Sequence, residues 1–260
     1  MTSHIAAASG AAVLSVEYRL APEHKAPAAA EDALAALRFV CSGVGAGNSS
    51  PAAAALGLDE ITAVGVAGDS VGGNLAAVAA LAAAQEGLPL DFQLLLFPWV
   101  DTLRTPEAHR PSRLLFAESH FLTKADMDFF NESSFGTGLD VAADWIVSPI
   151  AAPAHLLRRT APALVVTADH DVLLDEGRAY ASKLASSGCH TGAYPRALLC
   201  NNAVCTTAQA PSDSFVIWPF LTCSFRFVSF RSFPPTPHAP PPPTKQQKSI
   251  ESTQGSFTLL

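Results

Sequence analysis

The sequence is poor in charge, and basic charge is the scarcer sign. Only 15% of its 260 residues are charged, and 16 Lys and Arg residues stand against 23 Asp and Glu residues, a net charge of −7. We expect no nucleic-acid partner and no attraction to an anionic membrane, because both bind basic surfaces. Apolar residues make up 49% of the chain, enough for the core of one α/β domain.

Secretory and membrane signals are also missing. Residues 1–6 contain no basic segment followed by an apolar core, so no secretory signal is predicted. The apolar run Ser214–Phe230 is interrupted by Pro219 and Arg226 and is shorter than the roughly 20 residues that cross a bilayer, which argues against stable membrane insertion. The five cysteines have no Cys-x-x-Cys spacing and are odd in number, so we expect a reduced, cytoplasmic protein.

One short stretch combines a serine with three glycines at a strand-to-helix junction. Gly68-Asp69-Ser70-Val71-Gly72-Gly73 follows the β-rich run Ile61–Ala67 and precedes the alanine-rich helical run Asn74–Gln85. In this context Gly-x-Ser-x-Gly predicts a nucleophile elbow. The alternative is a tight strand-to-helix turn with a passive serine.

An elbow has definite geometric requirements. Ser70 is predicted to have φ near or above zero, which lifts its hydroxyl above the sheet edge. Gly68 and Gly72 are needed because a Cβ at either position would clash with the strand or the helix. The N–H of Val71, at the start of the helix, is the predicted donor to an oxyanion.

The rest of the chain alternates between buried strands and helices as far as Pro195. This order predicts a mostly parallel sheet with helices on both faces. The predicted strands are Ala12–Tyr18, Ile61–Ala67, Phe92–Phe97, Ala163–Ala168 and Thr191–Tyr194; the other predicted helices are Ala28–Val40, Ala52–Leu58, one from Thr123 to about Phe130, and Asp175–Ser187, with a loop at Pro149–Pro153.

The composition changes at Pro195. Alanine becomes rare while phenylalanine, proline, serine and threonine increase, and Pro234–Pro243 is a polyproline II segment. We therefore divide the chain into a hydrolase-like domain, residues 1–195, and a Phe/Pro-rich tail, residues 196–260, which we expect to be disordered. The alternative for the proline run is a ligand for a proline-binding domain.

Three motifs stand in order along residues 3–195. They are Glu17-Tyr18-Arg19-Leu20-Ala21-Pro22-Glu23-His24, the elbow, and Asp171-Val172-Leu173-Leu174-Asp175-Glu176-Gly177. Together they resemble the hormone-sensitive-lipase branch of the α/β-hydrolases, which includes many carboxylesterases. The resemblance implies a three-layer α/β-hydrolase fold and hydrolysis of small carboxylic esters in an apolar pocket, partly capped by Leu103–Phe135. It implies no cofactor and no metal.

The resemblance also assigns roles to residues. Ser70 corresponds to the nucleophile and Asp171 to the acid that orients the catalytic histidine, with Asp169 and Asp175 as close competitors. Asp175 and Glu176 are otherwise expected at a helix N-terminus, where acidic residues are favourable. Asp169-His170-Asp171 could suggest a metal site, but adjacent residues in a turn rarely face one ion together. Glu23 and His24 are expected to brace the loop above the sheet, and Asp69 to support the elbow.

Two parts of the family's machinery do not match. The family places its base a few residues after a Tyr-Pro like Tyr194-Pro195, yet Arg196–Cys200 contains no histidine. His190 precedes the strand, and His238 lies in the proline-rich tail. The family's His-Gly-Gly-Gly loop, which supplies oxyanion donors, has no counterpart near His4. We therefore expect weak or no hydrolysis, since losing a triad base costs on the order of 10⁴- to 10⁶-fold in turnover.

The mismatch has a consequence for the fold as well. In the family, the strand that ends at the Gly-rich loop lies between the strands that contain Val13 and Thr62 here. We expect the sheet to lack its first strands, so that these two pair directly or leave unpaired edges. We also expect the sequence to be a fragment or an incorrect gene prediction.

Another function class fits the missing base. The gibberellin receptor of plants resembles this branch in fold but lacks the catalytic histidine and binds a small acidic ligand, so a non-catalytic binding protein is the alternative. An interaction role for the proline-rich tail is a third possibility.

Overall fold

The computed structural model describes residues 2–45, 50–102, 110–118, 122–135, 144–197 and 257–259. Within these ranges six strands form one sheet: β1 (Leu14–Ser15), β2 (Gly65–Asp69), β3 (Phe92–Leu96), β4 (Ala163–Ala168), β5 (Thr191–Ala197) and β6 (Phe257–Leu259). Their order across the sheet is β1-β6-β2-β3-β4-β5. Strands β2 to β5 are parallel to one another, whereas β6 is antiparallel to both β1 and β2. The predicted α/β architecture with a mostly parallel sheet is confirmed.

Eight helices are described: α1 (Thr2–Ser9), α2 (Ala28–Cys41), α3 (Pro51–Leu56), α4 (Val71–Glu86), α5 (Pro111–Leu115), α6 (Lys124–Phe135), α7 (Ala154–Leu157) and α8 (Leu174–Ser186). The predicted loop at Pro149–Pro153 contains a short 3₁₀ helix, Pro149–Ala151. None of the helices in the described ranges is long and apolar enough to cross a membrane. The run Ser214–Phe230 lies outside those ranges.

Helix α4 is the centre of the core. Every residue from Gly72 to Ala84 is buried, because this helix packs against β2, β3 and α2. Its alanines allow close approach on all sides, which explains an alanine-rich helix without a polar face. Helix α8 covers β4 and β5. The core therefore holds rigidly the two loops that follow β2 and β4.

Local signals placed several helix boundaries correctly. Thr123 and Asp126 form the predicted cap of α6: the Thr123 hydroxyl accepts from the Asp126 N–H at 3.1 Å, and the Asp126 carboxylate accepts from the Thr123 N–H at 2.9 Å. The helix predicted at Ala52–Leu58 is instead α3, Pro51–Leu56: the Ser50 hydroxyl accepts from the Ala53 N–H before it, and Gly57, with φ 65°, terminates it.

Three predictions about the sheet are corrected. The strand predicted at Ala12–Tyr18 is only Leu14–Ser15. The strand before the elbow begins at Gly65 rather than Ile61, since Ile61 forms only an isolated bridge with Val44. The strands near Val13 and Thr62 do not pair directly. Phe257–Leu259 lies between β1 and β2 and pairs with both, so the sides on which β1 and β2 face each other are not left unpaired.

The tail, residues 196–260, was expected to be disordered, but its first two residues and residues 257–259 belong to strands. Arg196 and Ala197 belong to β5, and Phe257–Leu259 forms β6. A strand in this position satisfies the backbone groups that β1 and β2 would otherwise leave unpaired. The remaining predictions for the tail, including the polyproline II segment Pro234–Pro243, lie outside the described residues.

Candidate active site

Ser70 occupies a strained turn between β2 and α4. Its φ is 54° and its ψ is −118°, a combination that residues with a Cβ rarely adopt. Its N–H donates to the Leu96 carbonyl at 3.0 Å, and its own carbonyl accepts from the N–H groups of Asn74 and Trp99, each at 3.1 Å. The predicted positive φ is confirmed, and these bonds hold the strained backbone in place.

The glycines around Ser70 make this turn possible. A Cβ on Gly68 would overlap the backbone of Gly72 and Gly73, so the predicted requirement at Gly68 is confirmed. A Cβ on Gly73 would lie 2.8 Å from Pro98 Cβ, so a second requirement comes from the loop after β3. Gly72 is buried in the first turn of α4. The turn is thus closely packed at Gly68, which contacts the start of α4, and at Gly73, which contacts Pro98.

Val71 is the first residue of α4. The first four N–H groups of a helix have no acceptor within the helix and carry its positive dipole end. Val71 and Ser70 line the same cavity. The start of α4 therefore supplies the type of donor that an oxyanion next to Ser70 requires.

Asp171 lies at the same edge of the sheet as Ser70. Asp69 pairs in register with Leu96, and Leu96 with Val166, in parallel strands, so the loops that follow β2 and β4 leave the sheet on one side. The Asp171 carboxylate accepts a hydrogen bond from the Leu173 N–H at 3.0 Å. Burial raises the pKa of Asp171 to about 6, although that hydrogen bond opposes the rise.

The two competing carboxylates have other partners. Asp169 forms an ion pair with Arg178 at 3.7 Å. Asp175 accepts from the Ser112 N–H at 2.6 Å, and the Ser112 hydroxyl accepts from the Asp175 N–H at 3.3 Å. This reciprocal pair joins the N-terminal turns of α5 and α8. Both arrangements favour Asp171 as the acid of the site.

Glu176 is the centre of a buried charged cluster that sequence reasoning missed. One of its oxygens accepts from the N–H groups of Val100 and Asp101 at 3.0 and 3.1 Å, and the other from Arg113 at 2.7 Å. Arg110 is 3.4 Å from the Asp101 carboxylate and 3.8 Å from that of Glu176. Burial raises the pKa of Glu176 to about 7, against the attraction of Arg113.

Asp175 and Glu176 lie in the first turn of α8, so their predicted place at a helix N-terminus is confirmed. Neither side chain caps the helix, whose N-cap position is Leu173. Their hydrogen bonds go instead to α5 and to the loop after β3. Long-range partners outcompete the local cap because they are themselves buried groups that need acceptors.

A cavity of roughly 100 Å³ adjoins Ser70. Its wall is mostly apolar and is built from the loop after β3, from α6 and its preceding residues, and from the segment before the 3₁₀ helix. Its large apolar side chains include Trp99, Leu122, Met127, Phe130, Phe135 and Val147. The described part of the predicted cap region, Leu103–Phe135, thus contributes to the cavity.

Asn74 fixes the wall relative to the elbow. Its buried amide donates to the carbonyls of Trp99 and Val147, at 2.7 and 2.9 Å. Trp99 also makes an edge contact with Phe135, with ring centroids 6.1 Å apart. The asparagine of the elbow motif therefore positions two cavity residues.

The motif around Tyr18 borders the elbow from the other side. Tyr18, Arg19 and His24 line the same cavity as Ser70. Burial and the charge of Asp69 both raise the pKa of Tyr18. Arg19 binds Asp32 on α2 at 2.9 Å, which ties this loop to the core.

The histidines for which the structure shows a position do not lie in the loop after β5, where the family places its base. His24 is the one histidine in the cavity wall within the described ranges, and no hydrogen bond there joins it to Ser70. The ring of His170 packs on Phe116, with centroids 5.5 Å apart. The carbonyl of His190 accepts from the N–H of Ala163, the first residue of β4, so His190 is at the opposite edge, as predicted. Residues 198–200 and His238 lie outside the described residues.

The described part of the chain contains no cluster of three or more His, Cys, Asp or Glu side chains that could hold a metal ion. Cys41 and Cys189 are buried free thiols. Asp169-His170-Asp171 does not form such a cluster.

Comparison with known proteins connects this geometry with a family. A family profile described as "alpha/beta hydrolase fold" matches residues 1–194. Over about 180 residues the chain is 39% identical to carboxylesterase NlhH and 41% identical to carboxylic ester hydrolase LipN, both of Mycobacterium tuberculosis. Each alignment covers 68% of this chain, but 52% and 44% of those relatives. The chain thus spans about half the length of the relatives it matches.

The chain also resembles solved structures of esterases. A hyperthermophilic esterase from the archaeon Pyrobaculum calidifontis aligns with a TM-score of 0.57 and 37% sequence identity. The alignment covers 68% of this chain and 54% of the esterase.

Proposed function

The chain belongs to the α/β-hydrolase fold family, and from that premise we propose that its cavity is the acyl-transfer site of a serine carboxylesterase. The observation that carries the proposal is the position of Ser70. This serine has φ 54°, borders an apolar cavity and lies at the same end of the sheet as the half-buried carboxyl of Asp171. Strain of this kind persists only where the surrounding structure imposes it, and it concentrates at functional sites.

The reaction assigns a role to each group. The Ser70 Oγ attacks the ester carbonyl and the Val71 N–H donates to the oxyanion that forms. Collapse of the tetrahedral intermediate breaks the bond to the alcohol, which leaves with the proton that Ser70 gave up through a base, and an acyl group remains on Ser70. Water then attacks this acyl-enzyme, releasing the acid and regenerating the serine. Asp171 carries its negative charge above pH 6, where it can orient and stabilise an imidazolium.

The substrates we propose are small apolar esters. The cavity beside Ser70 is small, roughly 100 Å³, which favours short acyl groups. Its aromatic and aliphatic wall offers apolar contact rather than ion pairing.

Turnover by this polypeptide is proposed to be slow. Ser70 needs a base to take its proton, and the described residues contain no imidazole bonded to it. Removal of the base in such sites costs on the order of 10⁴- to 10⁶-fold. Part of the rate should return when free imidazole supplies the base.

The test measures p-nitrophenyl acetate hydrolysis by the wild type and by Ser70→Ala, with and without imidazole. Without imidazole we expect nearly equal rates. With imidazole, the wild type should exceed Ser70→Ala by several fold, the variant correcting for direct cleavage by imidazole. Equal rates in both conditions would refute the acyl-transfer proposal. A wild-type rate far above the variant without imidazole would refute slow turnover.

Two further parts of the proposal concern the domain and the location. We propose a hydrolase-like domain made of residues 1–195 together with β6, which lies in the same sheet; the family profile over residues 1–194 supports the first part. We also propose a reduced, cytoplasmic location, because Cys41 and Cys189 are free thiols buried in the core. Thiol titration of the denatured protein from its native host, with and without reductant, tests the second part.

A further inference from the structure

Helix α5 is short, yet one of its serines binds the segment that carries Asp171. The Ser112 N–H donates to the Asp175 carboxylate at 2.6 Å, and the Ser112 hydroxyl donates to the Val172 carbonyl at 3.2 Å. The same hydroxyl accepts from the Asp175 N–H at 3.3 Å. Ser112 is 3% exposed and Val172 is 1% exposed. A residue of the predicted cap region thus makes three hydrogen bonds to residues that closely follow Asp171.

The hydrogen bonds of Asp171 itself are local. Its carboxylate accepts from the Leu173 N–H at 3.0 Å, and its carbonyl accepts from the Leu174 N–H at 3.1 Å. These bonds fix the shape of the turn, because both donors lie within three residues of Asp171. They do not fix where the turn lies relative to Ser70. That position depends on contacts with other segments, and Ser112 provides three of them.

Helix α5 is itself held against the loop that follows β3. Arg113, the residue after the serine, donates to the Glu176 carboxylate at 2.7 Å and to the Asp101 carbonyl at 3.3 Å. Two residues before Asp101, the Trp99 N–H donates to the Ser70 carbonyl at 3.1 Å. Helix α5 therefore binds, through adjacent residues, both the turn that carries the acid and the loop that holds the elbow.

We propose that Ser112 is a positioning residue for ester cleavage, holding the Asp171 carboxyl where it can orient the base. This inference rests on the acyl-transfer role proposed for Ser70. Ser112 is not part of the cavity wall in the described ranges, so it acts through Asp171 and not on the substrate. Its hydrogen bonds matter for the rate because a displacement of about 1 Å can cost on the order of 10²-fold.

The experiment follows acetylation of Ser70 by p-nitrophenyl acetate in the presence of imidazole, measured as an initial rate by peptide mass spectrometry. Ser112→Ala removes the hydroxyl, and we expect acetylation about tenfold slower than in the wild type. The matched control is Leu115→Ala, also on α5, where Leu115 is 73% exposed and the rate should not change. Equal rates in the wild type and Ser112→Ala would overturn the role of Ser112. No acetylation of Ser70 in the wild type would instead refute the acyl-transfer proposal itself.

A double variant separates positioning from a general loss of structure. Asp171→Asn should also slow acetylation, and adding Ser112→Ala to it should change the rate by less than about twofold, because the two residues act as one unit. A further loss as large as in the wild-type background would overturn the proposal. If circular dichroism shows that Ser112→Ala does not fold, Ser112→Cys takes its place with the same expected results, since a thiol is a similar but weak donor.

Discussion

The carbonyl of Ser70 accepts a hydrogen bond from the N–H of Trp99 at 3.1 Å. This bond joins the strained turn after β2 to the loop after β3, and Trp99 is at once a wall of the cavity and a contact of Phe135. The serine and the apolar surface that would hold an acyl group are therefore positioned by one backbone contact. The elbow cannot relax without moving the wall.

Relief of strain at Ser70 should stabilise the protein. Ser70→Gly removes the Cβ that is unfavourable at φ 54°, so we expect the free energy of unfolding to rise by about 1 kcal/mol. Ser70→Ala keeps the Cβ and should give little of this gain. Urea unfolding of both variants measures the difference. A glycine variant less stable than the alanine variant would show that the turn is not strained.

Gly68→Ala should be severely destabilising. Its new Cβ would overlap the backbone of Gly72 and Gly73, which neither a rotamer change nor a small shift can avoid. We expect a loss of roughly 4 kcal/mol or more, in the range of core overpacking and backbone strain. The matched control is Gly192→Ala in β5, whose Cβ would come no closer than 3.4 Å to Leu164. Similar losses at both positions, by thermal or urea unfolding, would contradict the packing of the elbow.

The carboxyl of Asp171 should make stability depend on pH. Its pKa is about 6 in the folded protein, against 3.8 ordinarily, so the folded state keeps a proton that the unfolded state has released. Stability therefore falls as the pH rises from about 4 to about 6. Asp171→Asn should remove this slope and be more stable at pH 7, by up to about 3 kcal/mol.

The comparison needs unfolding curves at several pH values between 4 and 7. Asp59→Asn, at an exposed side chain, controls for the loss of one negative charge. If the wild type and Asp171→Asn have the same pH slope, the carboxyl of Asp171 is not buried as described.

The buried cluster at Glu176 should contribute far more than a surface ion pair. Glu176→Gln leaves Arg113 without its carboxylate partner, and breaking a buried pair on one side costs about 3–5 kcal/mol. The matched control is Glu86→Gln, because Glu86 and Arg38 form a pair of similar geometry on the surface, where such pairs contribute about 0–1 kcal/mol. Denaturant unfolding of both variants checks this, and equal losses would contradict the buried placement.

Local sequence signals predicted the elements that depend on nearby residues. Ala163–Ala168 is the observed β4 to the residue, and the cap at Thr123 forms with Asp126 as predicted, since a strand's hydrophobic run and a capping box are both short-range patterns. The motifs predicted that Ser70 and Asp171 lie at one end of the sheet, and the parallel strands β2 and β4 place them there.

What the sequence could not reveal depends on contacts between distant segments. Glu176 reads as an ordinary acidic residue in a first helical turn, and only the fold brings it to Val100 and Arg113. Likewise, Phe257–Leu259 has no local pattern that specifies pairing with β1 and β2, because the pairing of a strand depends on its neighbours in the sheet. Gly73 is constrained by Pro98, a residue of the next strand's loop.

The central claim is that Ser70 is the nucleophile of an ester-cleaving site. Its most direct test is to incubate the wild type and Ser70→Ala with p-nitrophenyl acetate and imidazole, quench, and locate the acetyl group by peptide mass spectrometry. The account predicts acetylation of Ser70 in the wild type, and no acetyl group on the corresponding peptide of Ser70→Ala. An unmodified Ser70 in a folded wild-type protein, under conditions that acetylate surface lysines, would contradict it.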